Sequence, residues 1–302
     1  MTPQFLSLAA LVCFALGAAA AVAGFRLESL RSSVWQFIAV GLGMVLKTAA
    51  IGMSCAQNAS HSFNSTSEML GLLAWALGFS YLVALAASAA RSLGALILPL
   101  VLILMTLSVM LAEPIGMTPV PPHRLLAVHI LSAFLGYGLF LTACGASVLY
   151  LEQASLLKRK VFGVLFKDLP SLERLERLEI LCAGLGMIVF TVAIATGAVM
   201  ANYFNKPFWL EPKILATEIT WLIFGVLLIG RGIRWLSGTA AAKFMLVGAG
   251  LVLLTFALTH PFGRPAAQTA ERTVGLPQTR AAQQLPVPHD SDERLSFVRG
   301  QL

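Results

Sequence analysis

Five histidines and two charges inside apolar runs are the residues of this chain with chemistry to offer. The histidines are His61, His123, His129, His260 and His289. Neutral imidazole is a common ligand of transition metals. His129 stands about one turn into a long apolar run, where a histidine is costly without a partner or a ligand. Two readings stay open for it: a hydrogen bond to water or a lipid headgroup, or coordination of a metal. The segment that follows, Ile130 to Gly138, is apolar and rich in small residues, with Tyr137 two turns on. It offers a wall for a flat apolar cofactor. His260 closes the last apolar run, so two separate runs each carry a histidine near one end. His61 and His123 read as solvated loop residues, and His289 lies in the C-terminal tail.

Lys47 and Glu218 are the two intramembrane charges. Lys47 is about 20 Å along the second apolar run at the helical rise of ~1.5 Å per residue. Glu218 is near one end of the seventh. A charge in that setting finds a partner or lines a polar cavity, so a Lys47–Glu218 pair is one expectation. Snorkelling of each to the interface is the other. The four cysteines, Cys13, Cys55, Cys144 and Cys182, all lie in apolar segments and form no C-x-x-C pair. That spacing argues against a dithiol redox site, covalent haem attachment and a zinc knuckle. No Ser-His-Asp or paired-carboxylate constellation is recognisable, so the chain is read as a non-enzyme.

The elements that must position these groups follow from composition. Of 302 residues, 58% are hydrophobic and 12% charged, with a mean hydropathy of +0.82. Soluble domains carry roughly 25% charged residues, so most of this chain does not face water. A helix needs about 20 apolar residues to cross the hydrocarbon core. Eight runs qualify: residues 5–25, 34–55, 69–90, 93–111, 125–149, 180–200, 214–229 and 243–259. The expected fold is an all-α, polytopic membrane bundle of about eight transmembrane helices. The first run has no Lys or Arg before it, whereas Arg26 and Arg31 follow it. That order is the reverse of a secretory signal, so the run is read as a retained helix.

Lys and Arg counts set the expected orientation. Twelve flank the odd-numbered connections, among them Lys158, Arg159, Lys160 and Arg231, against three in the even-numbered ones. The odd loops are therefore expected in the cytoplasm and both termini outside. The basic charge reads as topology, with no nucleic-acid partner. Residues 1–262 are expected to form the membrane domain. Residues 263–302, rich in Pro, Gln, Ala and Arg, read as a disordered polar tail on the outer side. Between the fifth and sixth runs, Leu172, Leu175 and Leu178 recur every three residues among Glu173, Arg174, Glu176 and Arg177. This pattern predicts an amphipathic helix leading into the sixth span, capped by Asp168 or Ser171 with Pro170 in its first turn. A docking surface for a soluble partner is the alternative use of that segment.

Several of these segments together resemble one family. Phe208-Trp-Leu-Glu-Pro-Lys-Ile214, followed by Thr220-Trp221-Leu-Ile-Phe224, is similar to the tryptophan-rich W-x-W-D-P-K signature and following helix of the cytochrome c assembly family (CcsA/ResC/HemX-like membrane proteins). His129-Ile-Leu-Ser-Ala-Phe-Leu-Gly-Tyr137 resembles that family's outer-face histidine helix. Residues 232–243, with Trp235 and Gly238, resemble the segment before its last helix. Residues 168–179 resemble the L-P-S-L-E-x-L-E loop of its HemX/YpjD-type branch. The likeness spans about residues 55–260. Phe208 and Leu210 stand in the places of the two motif tryptophans, Glu211 in that of the aspartate, and Pro212 and Lys213 are retained.

The resemblance implies a bundle in the bacterial inner membrane that handles haem b at its outer face. By that likeness His129 and His260 are the expected axial ligands of the iron. Phe208 and Trp209 would supply flat surface, and Lys213 or Lys47 would neutralise propionates. The implied role is c-type cytochrome maturation, with other cytochrome c assembly proteins as partners. The alternative is a HemX-like membrane regulator or scaffold of haem metabolism, acting on a haem-biosynthesis enzyme through residues 158–179.

Overall fold

Backbone amides cannot be left unpaired in hydrocarbon, so an apolar chain of this length must satisfy them within helices. The computed structural model describes residues 3–24, 33–57, 65–88, 91–111, 124–160, 169–203, 212–236 and 238–259. Eight helices are found there: α1 Pro3–Ala23, α2 Ser33–Gln57, α3 Thr66–Ser88, α4 Arg91–Met110, α5 Arg124–Lys158, α6 Leu172–Tyr203, α7 Pro212–Gly232 and α8 Gly238–Thr259. All eight are long and apolar enough to cross a membrane. Among the described residues there is no strand. The protein is a multi-pass, all-α membrane protein.

Two helices outrun their expected spans. The 35 residues of α5 extend roughly 52 Å at ~1.5 Å per residue, against a hydrocarbon core of about 30 Å. The charged end of α5 and the start of α6 form a shared extension. The Leu-Glu-Arg repeat is continuous with α6 and is no separate helix. Its first helical bond runs from the Leu175 amide to the Ser171 carbonyl at 3.1 Å. Ser171 is therefore the cap, and Pro170 precedes it instead of entering the first turn. Leu175 and Leu178 are buried. Leu175 packs with Tyr150, Ala154 and Ala242 of α5 and α8. The leucine face of the repeat is thus internal and closed to a partner. Its outward residues, Glu173 and Arg177, make an exposed i,i+4 pair at 2.6 Å.

Helices consecutive in the chain run antiparallel, α3 and α5 pack in parallel with Ala76 at Gly138 and Ser80 at Thr142, and the most extensively packed pair is α5 with α6. Close approach in a membrane needs small residues, and Gly138 of α5 is the clearest case. A Cβ there would lie 2.6 Å from the Ala76 carbonyl oxygen of α3. Beside it the Ser80 hydroxyl lies 2.9 Å from the Gly138 carbonyl and 2.6 Å from the Thr142 hydroxyl. The α1–α2 hairpin packs on α3 and α4, where the Tyr81 hydroxyl donates to Gln36 Oε1 at 2.7 Å. A column of rings fills the space among α5, α6, α7 and α8. In it Phe134 and Tyr137 meet edge-on, Tyr137 leans on Phe190, and Phe140 stacks on Phe224 with centroids 3.8 Å apart.

The two ends of this bundle differ. One carries His129, Lys47 and the paired serines Ser67 and Ser108. The other carries Arg231, with Glu176 and Glu179.

Candidate functional site

His129 is the sixth residue of α5, and the antiparallel α6 brings its last turns alongside. The imidazole Nδ1 lies 2.7 Å from the Ala193 carbonyl oxygen. A carbonyl only accepts, so Nδ1 carries the proton and donates. No described residue hydrogen-bonds Nε2. This is the arrangement that fixes a metal-ligating histidine: one nitrogen tied to the protein, the other presenting its lone pair. The residue as a whole is half-buried. The residues present therefore fit an imidazole ligand to iron at this end of the bundle.

The expected cofactor wall below His129 is different in the structure. Phe134 packs edge-on against Phe256, and Tyr137 is buried against Phe190. That face of α5 is filled by the protein's own rings, because α6 and α8 close over it.

Lys47 is buried, with 8% of its surface exposed. Its ammonium is 3.3 Å from the Ser7 hydroxyl of α1. It reaches over Gly71 of α3, where a Cβ would lie 3.0 Å from Nζ and 2.7 Å from Ser108 Oγ of α4. Glu68 of α3 interacts with it electrostatically. The expected Lys47–Glu218 pair is not what forms. Lys47 turns into the junction of α1, α3 and α4, whereas Glu218 sits half-buried on α7. The rotational phase of α2, set by its packing on α1 and α3, decides this.

Lys213 lies in the first turn of α7, and its side chain is outside the described residues. Phe208, Trp209, Leu210, Glu211 and His260 also lie outside them, as do His61, His123 and His289. Cys182 is buried, and Cys13 and Cys144 are half-buried, all three as free thiols. No group of three or more metal-ligating side chains occurs among the described residues.

The Thr220-Trp221-Leu-Ile-Phe224 segment turns out to be packing machinery. Thr220 Oγ1 is 3.4 Å from Thr255 Oγ1 of α8. The Trp221 indole donates to Thr191 Oγ1 of α6 at 2.9 Å, and Phe224 stacks on Phe140 of α5. One turn of α7 thus contacts three neighbours and holds it against the histidine-bearing pair.

At the opposite end, a buried charge cluster escaped the sequence reading, which took Arg231 as a loop charge. Arg231 lies within α7 with its side chain 4% exposed. Its guanidinium donates to Glu176 and, at 2.7 Å, to a fully buried Glu179. The signal was present: Glu176 and Glu179, spaced i,i+3, share one helix face opposite a lone arginine ending the next helix.

The fold and site define a polytopic membrane bundle with a histidine hydrogen-bonded through Nδ1 near one end. Residues 63–260 match the Cytochrome C assembly protein family. The chain belongs to that family. It is similar to Protein HemX of Bacillus subtilis (strain 168), 29% identical over 120 residues, covering 39% of this chain and 44% of the relative. Protein HemX of Brevibacillus brevis is 29% identical over 109 residues, 36% of this chain and 40% of the relative. The Cytochrome c biogenesis protein CcsA of Guillardia theta is 23% identical over 236 residues, 71% of this chain and 78% of that protein. The chain spans less than half the length of the two HemX relatives it matches. No solved structure matches. Helices α1 and α2 precede the family match, so the Lys47 junction is where this hairpin docks on the family's part of the fold.

Proposed function

We propose that this protein handles haem b in cytochrome c biogenesis, as a non-enzymatic membrane factor that binds or presents the cofactor at the outer face. One observation carries the reading: His129 donates through Nδ1 to the Ala193 carbonyl, and no described residue hydrogen-bonds its Nε2. Membership of the family and the CcsA relative support it. His129 supplies one axial nitrogen, and His260, which closes the last span, supplies the second. Lys213 at the start of α7 serves the propionates, and Phe208 and Trp209 supply flat surface nearby. Lys47 is engaged in the α1–α4 junction and is assigned to hairpin docking. Bound haem would contribute its iron and its redox couple; the protein orients it and limits water.

The Lys and Arg asymmetry supports an orientation with the histidine end outside, both termini there, and the Arg231 end in the cytoplasm. The bacterial inner membrane is the expected location, and other cytochrome c assembly proteins are the expected partners. Residues 263–302 are kept as a polar tail on the outer side. Purification from haem-replete membranes tests the reading. A Soret band that disappears in His129→Ala is expected. Its absence from the wild type, or its persistence in that variant, refutes haem binding through His129.

The similarity to HemX favours a second reading, in which the protein regulates or scaffolds an enzyme of haem synthesis through residues 158–179. Burial of Leu175 and Leu178 and the use of Glu176 by Arg231 restrict the surface open to a partner. Glu173, Arg174 and Arg177 remain. Charge reversal at Glu173 then disturbs haem synthesis while His129→Ala does not; the opposite pattern rejects this reading.

A further inference from the structure

The last turns of α6 meet the His129 ring more closely than helix packing requires. The Ala193 carbonyl already belongs to the backbone ladder of α6, in which residue i+4, Gly197, is its ordinary donor. It also lies 3.0 Å from Thr196 Oγ1. That hydroxyl is also 3.5 Å from His129 Nδ1, but its proton has a nearer acceptor, the Val192 carbonyl at 2.7 Å. A carbonyl oxygen has two lone pairs, so His129 takes the second one at Ala193. Its distance of 2.7 Å is shorter than the usual ~2.9 Å for N–H···O.

Such an approach is possible only over a bare backbone. A Cβ at Gly197 would stand 2.8 Å from His129 Cε1 and 3.2 Å from Nδ1. The first value is closer than side-chain carbons tolerate, and the ring is anchored on its own helix. Any side chain at 197 therefore pushes the imidazole off the carbonyl. The alternative tautomer is disfavoured for a second reason. It would face the Nδ1 lone pair towards the carbonyl lone pair, two acceptors in contact with no proton between them.

We propose that α6 positions His129 for coordination: the Ala193 carbonyl and the bare surface of Gly197 hold the imidazole in its Nδ1–H tautomer, so that Nε2 is its one available ligand atom. Gly197 is a positioning residue that acts through His129. Its value for cofactor capture rests on the haem reading above; the ring geometry does not. Outer partners of a ligating histidine raise its basicity and typically change metal affinity by about 10- to 100-fold. The device is complete before a cofactor arrives, because both α6 groups are backbone.

The test uses the full chain in nanodiscs, haem-free, with 15N-labelled histidine, about two pH units above the ordinary imidazole pKa of ~6.5. A His129→Gln variant assigns the resonances. The wild type is expected to show His129 as the Nδ1–H tautomer. Gly197→Ala is expected to give a tautomer mixture, with helicity retained by circular dichroism. Haem b titrated into Gly197→Ala should bind roughly 10- to 100-fold more weakly, with a shifted reduction potential. Thr196→Val should change none of these. An Nε2–H tautomer in the wild type overturns the proposal, and so does a folded Gly197→Ala protein with an unchanged tautomer. If Gly197→Ala does not fold, the wild-type tautomer alone decides. If the wild type shows the Nδ1–H form yet binds no haem, the positioning stands and the haem reading fails.

Discussion

Removing the Arg231 side chain should be the most damaging single change at the end of the bundle opposite His129. Its guanidinium is 4% exposed and bridges two helices, α7 to α6, through Glu176 and Glu179. The two carboxylates are not equivalent. Glu179 is fully buried, whereas Glu176 has 37% of its side chain exposed. The exposed partner is screened, and pairs of that kind contribute about 1 kcal/mol or less. Glu179 dominates. Breaking a buried pair by deleting one partner costs about 3–5 kcal/mol, because the other charge remains without compensation. Arg231→Ala should therefore shift the folding equilibrium by roughly two to four decades. Glu179→Gln together with Arg231→Met leaves only the partly exposed Glu176 charge without its partner, no fully buried one, and should recover most of that loss. The assay is reversible unfolding of the purified protein in mixed micelles, following helicity against the fraction of denaturing detergent. A loss below about 1 kcal/mol in Arg231→Ala refutes the argument, as does a double variant as unstable as the sum of its parts.

Gly138→Ala should destabilise by about 1–3 kcal/mol, since its Cβ would enter the Ala76 carbonyl and force α5 from α3; the same unfolding assay reads it. Lys47→Met, which removes the ammonium but keeps most of the volume, should cost less than Lys47→Ala, which also opens a cavity. In both Lys47 variants the Soret band per folded protein should be unchanged, because this lysine serves the α1–α4 junction. Glu173→Arg should leave stability within about 0.5 kcal/mol of wild type, since its pair with Arg177 is exposed. Trp221→Phe keeps the ring but removes the indole donor to Thr191, and should cost about 1 kcal/mol.

Much of the fold was legible residue by residue. Each expected span coincides with a helix, and the breaks fall where charges and Pro or Gly interrupt the apolar runs. The misses have physical causes. The span from Leu125 was ended at Leu149 because Glu152 and Gln153 break the apolar pattern, yet helicity does not stop where hydrocarbon does. The tail of α5 is supported by packing of Tyr150 and Ala154 on Leu175 and Ala242. Arg231 read as a loop charge because position along the chain says nothing about Glu176 and Glu179 on another helix. The candidate ligand His129 was visible as a polar residue one turn into an apolar run. Gly197 was not, since a glycine among small residues in a membrane helix carries no mark of what lies over it.

The sequence by itself determined that the chain carries eight segments long and apolar enough to cross a membrane, each of which falls on a helix among the described residues. It also marked His129 as a residue needing a partner. Those are properties of consecutive residues, because hydrocarbon selects about 20 apolar positions in a row whatever lies beside them. Only the tertiary structure decided what each polar group meets: Ala193 for His129, 64 positions away, Ser7 for Lys47, 40 away, and Glu179 for Arg231, 52 away. Those partners depend on the rotation of each helix about its axis and on which helices touch. Both are set by side-chain packing between segments distant in the chain, where small residues such as Gly138 and Gly197 let backbone and ring come together.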